Sequence, residues 1–228
     1  MDIDLKKSYN NVFKKYEKSK LFSPSLLDKS NNLFSFNKNI LPKKFEVAAV
    51  LCGLPFSEKL QRKVKVLQNN FQKKIGTNKA YWVKQKSLGL ELFVTKWPKD
   101  QYLKKDDFSS LKDYLIRYSN LNIEIVISGF QVHIDGCVVL KGHDNGILRK
   151  IRSEVMSKFN FIPRKQSKWV HIPIGRILTQ LTSSQHLDVI DFCKISENNF
   201  NHIEKISQIK YIHEYRWYMY EHKIVYMI

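Results

Sequence analysis

Two stretches of the chain carry the same order of hydrophobic patterns, and that order restricts the possible folds more than any other feature. Phe45 to Cys52 is an apolar run interrupted only by Glu46, which reads as a buried strand closed by Gly53 and Pro55. Ser57 then caps a helix whose Leu60, Val64, Leu67, Phe71 and Ile75 fall on one stripe, with lysines and Arg62 around it. Tyr81 to Trp97 reads as extended chain, ended by Pro98. The second stretch starts with a hairpin, Ile123–Val132 and Cys137–Leu140, turning at Asp135-Gly136. A helix opened by Asn145 follows, with Leu148, Ile151, Val155 and Phe159 inward, and then a strand from Trp169 to Leu178. This order predicts an α+β protein of two pseudo-symmetric lobes whose antiparallel sheets face a central cleft.

The flanking segments are read in the same way. Leu5, Tyr9, Val12, Phe13 and Tyr16 give residues 4–19 an amphipathic helical period, and a polar stretch follows to Pro42. Residues 1–44 are therefore an expected N-terminal helical extension, packed on or tethered to a main domain over 45–228. Asp106-Asp107 opens another helix, placing two acids at its positive end. After residue 178 the sequence predicts a loop-rich segment, a short helix near 199–206, and closing strands over 209–219 and 224–228.

Composition limits the partners. Lys and Arg number 39 against 21 Asp and Glu, a formal charge of +18, which favours a polyanionic partner. An AT-rich coding sequence gives the same lysine excess without any such partner. Cys52, Cys137 and Cys193 are odd in number and widely spaced, as in a reduced, cytoplasmic protein. No apolar run is long enough to span a bilayer, so no membrane association is expected. His186, His202 and His222 lack ligand spacing, and neither a metal nor a cofactor is expected. Walker-type, dinucleotide-binding and nucleophile-elbow motifs are missing. The chain is expected to be a monomer, with residues 1–44 open to a protein partner.

One segment carries a family likeness. Trp169-Val-His-Ile-Pro-Ile-Gly-Arg-Ile-Leu178, through His171, Pro173, Gly175 and Arg176, resembles the second signature of the 2H phosphoesterases, a strand reading His-x-Thr/Ser-x-Gly-Arg. The ordered elements over about residues 45–220 agree with that superfamily, which includes bacterial 2′-5′ RNA ligases and cyclic nucleotide phosphodiesterases. The resemblance implies two histidines, one accepting a proton from the attacking hydroxyl and the other protonating the leaving oxygen. It places the first signature in Ser87–Trp97, where no histidine occurs. Alignment on Trp82 and Leu88 puts Gly89 and Glu91 at the histidine and threonine positions. Slides of two or four residues use Glu91 and Phe93, or Phe93 and Thr95. Strand periodicity predicts one shared face for all four. Pro173 also removes a hydroxyl and a backbone donor.

The resulting expectation is a degenerate 2H-like protein that binds RNA or a nucleotide phosphate in a basic cleft, with weak or no turnover. His171 and Glu91 are the candidate catalytic pair, and Arg176, Gly175, Thr95 and Trp82 the candidate binding residues. Two alternatives stand beside it: an active 2′,3′-cyclic or 2′-5′ phosphodiesterase of altered mechanism using His171, and a non-catalytic interaction domain. Tyr81, Trp82, Trp97, Trp169 and Trp217 are candidate base-stacking rings. His213 and Glu214 lie on opposite faces of a closing strand, and His133 and Asp135 flank a turn.

Overall fold

The computed structural model describes residues 3–19, 24–36, 39–119 and 122–228. Its helices are α1 (Ile3–Lys18), α2 (Pro24–Asn31), α3 (Glu58–Ile75), α4 (Lys105–Ile116), α5 (Ile147–Lys158) and α6 (Ser183–Asn199). Its strands are β1 (Phe34–Phe36), β2 (Ile40–Pro42), β3 (Lys44–Gly53), β4 (Ala80–Trp82), β5 (Gly89–Lys96), β6 (Ile123–Val132), β7 (Cys137–His143), β8 (His171–Ile177), β9 (Asn201–Ile206), β10 (Ile209–Arg216) and β11 (Glu221–Met227). All pairings are antiparallel: a β1–β2 ribbon, a four-stranded sheet in the order β11-β10-β3-β5, and a five-stranded sheet in the order β4-β8-β7-β6-β9. The chain is thus an α+β protein built on antiparallel sheets.

Local chemistry accounts for the element ends. Ser57 caps α3 by accepting the Leu60 N–H at 3.3 Å, while Glu58 lies in the first turn and Lys73 and Lys74 in the last, matching the helix dipole. In the β6–β7 turn, Gly136 takes φ +85°, and a side chain there would collide with the Ile177 carbonyl. The Asp135 carboxylate accepts the Cys137 N–H at 3.1 Å. The N-cap of α5 is Gly146 and not the expected Asn145; upstream of it the Asp144 carboxylate accepts the Leu148 N–H at 2.7 Å, and the Asn145 side chain accepts the Ile147 N–H at 3.4 Å.

Two expectations are corrected. The segment after residue 178 is not loop-rich: α6 spans Ser183–Asn199, fixed by a reciprocal Thr182/Gln185 capping box. Asn201–Ile206 is an edge strand, not a short helix. Its inward side chains are His202, Glu204 and Ile206, so the alternation hides behind a buried hydrogen bond of 2.7 Å between the His202 ring and the Glu204 carboxyl.

One large core joins the faces of both sheets to α3, α4, α5 and α6. The N-terminal helices reach into it. Tyr9 and Tyr16 are fully buried; the Tyr9 hydroxyl donates to the Val170 carbonyl at 2.5 Å and accepts the Gly142 N–H at 3.3 Å. A smaller cluster, Val47, Ala49, Leu51, Leu54, Val94 and Ile212, covers the opposite face of the four-stranded sheet. That second face leads to the candidate site.

Candidate functional site

A cavity of about 150 Å³ lies where β5 of one sheet meets β8 of the other. Val47, Leu51, Gly89 and Glu91 line it from the four-stranded sheet, and His171 and Pro173 from the five-stranded one. Trp97, Glu214, Trp217, Tyr218 and Met219 complete much of the wall. His171 and Glu91, the expected pair, are therefore brought to one cavity.

The four expected binding residues are not. β5 carries two register shifts, which leave Leu92 and Thr95 without cross-strand partners. Each extra residue inverts the alternation, so Phe93 and Thr95 do not share the face of Glu91. The Thr95 hydroxyl is buried against the Ala48 carbonyl (3.1 Å) and the Tyr211 hydroxyl (3.3 Å). Gly175 pairs with Trp82, whose ring occupies the space a side chain at 175 would need. That ring packs 5.7 Å from Phe71 of α3, away from the cavity. Arg176 is buried in a structural node. Its guanidinium donates to the Tyr218 and Ser30 hydroxyls, both at 2.8 Å, and pairs with the Asp135 carboxylate at 3.1 Å. A guanidinium so engaged is not available to a phosphate.

Glu214 is the residue that sequence reasoning left out. It pairs with Val47 in the β10–β3 register, which puts it on the cavity face. Tyr218 and Met219, with φ of 62° and 53°, take consecutive left-handed conformations that are costly for side-chain-bearing residues. This turn brings the Met219 N–H to the Glu214 carboxyl at 2.8 Å and presents Trp217, Tyr218 and Met219 to the cavity. The sequence signal was its place beside His213 in a closing strand of mixed polarity. Opposite-face reasoning separated it correctly from His213, whose ring lies 4.4 Å from that of Tyr102.

The electrostatics follow from burial. Desolvation pushes the Glu214 carboxyl up to about 8; the Met219 N–H opposes the shift and the nearby Glu91 charge adds to it. Glu91 is also raised by burial, against the pull of Arg152. Burial depresses His171 to about 3, helped by His133 and Arg152, and its Nδ1 has no hydrogen-bond partner among the described residues. The His133 ring lies 6.5 Å from that of His171, but it contacts the Gln131 amide at 3.1 Å and is not part of the cavity wall. Arg152 does not enter the cavity wall either: it donates to the carbonyls of Leu92 (2.6 Å), Glu91 (2.7 Å) and Trp169 (2.8 Å), tying β5 to the start of β8.

The expected basic cleft is therefore corrected. Among the described residues, no lysine or arginine lines the cavity, which instead holds two carboxyls, a neutral imidazole and aromatic rings. Cations stand just outside it. The Lys165 ammonium lies 5.7 Å over the wall ring of Trp97, and Lys84, next to the wall residue Val83, lies 4.0 Å over Tyr220. Such an interior accepts hydrogen bonds, donates one from the protonated Glu214 carboxyl below its pKa of about 8, and stacks rings; it does not neutralise a phosphate. Among the described residues, no cluster of side chains suits a metal ion.

No family pattern and no curated protein matches the chain. Solved structures do. TT0787 of Thermus thermophilus superimposes with a TM-score of 0.53 at 10% identity, covering 80% of this chain and 96% of that one. The conserved protein of unknown function ATU0111 from Agrobacterium tumefaciens gives a TM-score of 0.55 at 11% identity, covering 85% and 89%. At these identities the likeness is one of fold. No helix among the described residues is long and apolar enough to cross a membrane.

Proposed function

We propose that this protein is a degenerate 2H phosphoesterase-like receptor that binds a nucleotide or an RNA end base-first in the cavity between its two lobes, without efficient turnover. The two-lobe reading takes β3, α3 and β5 as one half and β7, α5 and β8 as the other, with β5 and β8 adjacent at the centre. The carrying observation is the cavity wall: Glu91, Glu214 and His171 beside Trp97 and Trp217, with no lysine or arginine among the described residues. A nucleobase offers a flat ring to the tryptophans and N–H groups to the acceptors. Its phosphate remains outside, near Lys84 and Lys165, where salt screens the contact.

Two-histidine catalysis finds little support in these groups. His171, held neutral far below its ordinary range, is a weak base, and among the described residues no second imidazole lines the cavity. Calorimetric titration with the four ribonucleosides, their 5′-monophosphates and short RNAs tests the reading. Saturable binding is expected for nucleosides as well as nucleotides, weakened at least tenfold in Glu91→Ala and in His171→Ala. Raised salt should weaken the nucleotides selectively. Binding of inorganic phosphate with none of nucleosides would overturn the base-first reading. Hydrolysis of 2′,3′-cyclic nucleotides that His171→Ala abolishes would replace it with the catalytic alternative.

A further inference from the structure

A second concavity lies on another face of the molecule. It is a groove of about 430 Å³ between α3 and α6, within the size range of small-molecule sites. Its floor is aromatic: the Phe130 ring lies 4.9 Å from Phe192 and 6.0 Å from Phe200. Its walls are aliphatic and open to water, with Val66 60% exposed and Ile195 56% exposed. Isolated exposed apolar side chains are ordinary, but two of them facing each other over a phenylalanine floor form a continuous apolar trough.

The charge at this trough has one sign. Arg62 and Lys63 line it at the end where α3 begins and α6 finishes, beside Asn199, and no acidic side chain lines it among the described residues. Lys63 is held by a neutral partner, the Asn201 carbonyl at 2.7 Å, so its charge is not cancelled. Arg62 has only a 3.5 Å contact to Glu58, with both side chains largely exposed, a pair of little energetic weight. At the far end Lys74 stands 5.2 Å over Phe192. From Arg62 to Asn70 the wall spans eight helical rises, ~12 Å of helix. α3 and α6 are in direct contact along it, so the trough is a single seam whose lining charge sits at one end, a shape and charge that suit one extended chain with one anionic head.

We propose that the α3/α6 groove is a binding site for a single-chain amphipathic carboxylate, its alkyl chain on Phe130, Phe192 and Phe200 and its anionic head at Arg62 and Lys63. This site is separate from the cavity at His171, and either can fail without the other. Val66 and Ile195 close over the chain, and their exposure in the free protein is what the ligand removes.

Titration of the full-length protein with decanoate and dodecanoate below their micellar concentrations, and with decan-1-ol, decides the matter. Saturable binding at one site is expected, tighter for the longer acid, with decanol several-fold weaker than decanoate. Val66→Glu and Ile195→Glu should each weaken dodecanoate at least tenfold; both positions are exposed, so folding is preserved. Leu187→Glu, equally exposed on α6 but outside the groove, should leave binding unchanged. The double change Arg62→Ala, Lys63→Ala should abolish the preference for the acid over the alcohol. The proposal fails if the acids show no saturable binding, if the groove variants bind as the parent does, or if acid and alcohol bind alike. Binding to anionic lipid vesicles without binding of the free acids would also overturn it, in favour of a membrane-surface contact.

Discussion

At the scale of single residues, Glu214 and His171 make opposite demands on pH. The folded pKa of Glu214, about 8, lies above the ordinary 4.5, so between those values the native state keeps a proton that the unfolded chain has released. Stability therefore falls with rising pH across that window and is fully present only below it. For His171 the folded value of about 3 lies under the ordinary 6.5, so from 3 to 6.5 the unfolded chain binds the extra proton and stability rises with pH. Each contributes a slope of at most about 1.4 kcal/mol per pH unit. The two cancel between 4.5 and 6.5, leaving a descending limb from 6.5 to 8 to which Glu214 contributes, with Glu91, whose carboxyl burial also raises, acting in the same direction. Glu214→Gln keeps an oxygen for the Met219 N–H and removes the titration. Melting curves should show that limb flattened and the midpoint at pH 8.5 raised by roughly 5 °C or more. An unchanged difference between pH 6.5 and 8.5 would show that the carboxyl is hydrated and ionised.

At the scale of elements, the capping box makes a sharp prediction. Thr182→Ala removes the acceptor for the Gln185 N–H at the start of α6 and should cost about 1 kcal/mol, read from urea unfolding. Its effect should stay within the helix and leave the cavity at His171 untouched. α6 also shows what the sequence concealed. Its apolar residues point two ways, Val189, Ile190 and Cys193 into the core and Phe192 and Ile195 toward the groove, so no single stripe announces a helix. β9 fails for the converse reason: His202 and Glu204 point inward while Ile203 is 59% exposed. A period-two search for apolar faces passes over such a strand. The hairpin, α3, α5 and β8 were legible from their hydrophobic patterns and end signals, although the N-cap of α5 is Gly146 and not Asn145. At the site, His171 and Glu91 could be paired from the sequence. Thr95 was misplaced because a β-bulge leaves no mark in the hydrophobic pattern, and Glu214 was missed because its burial depends on a turn at residues 217–220 built from non-glycine residues.

At the scale of the molecule, the N-terminal segment decides whether residues 45–228 can stand alone. Among the described residues before 45, Tyr9, Tyr16, Leu27, Ser30 and Phe34 are buried, and Phe34 packs 5.2 Å from Tyr81 and 6.2 Å from Tyr218. The Ser30 hydroxyl joins the Asp135 carbonyl to the Arg176 guanidinium, each at 2.8 Å. Removing the segment would expose a phenylalanine-sized gap beside Tyr218, a wall residue of the cavity, and leave Arg176 short of a partner. Each buried aromatic removed costs about 3–5 kcal/mol, and a domain's whole stability is about 5–15 kcal/mol. A chain starting at residue 45 should therefore lose cooperative thermal unfolding, or melt at least ~15 °C lower, and should lose nucleoside binding with it. Such a chain melting within a few degrees of the parent would show instead that α1 and α2 are a detachable cover. Residues 45–228 keep 29 Lys and Arg against 17 Asp and Glu, so self-repulsion persists and the truncated protein should recover part of its stability as salt is raised.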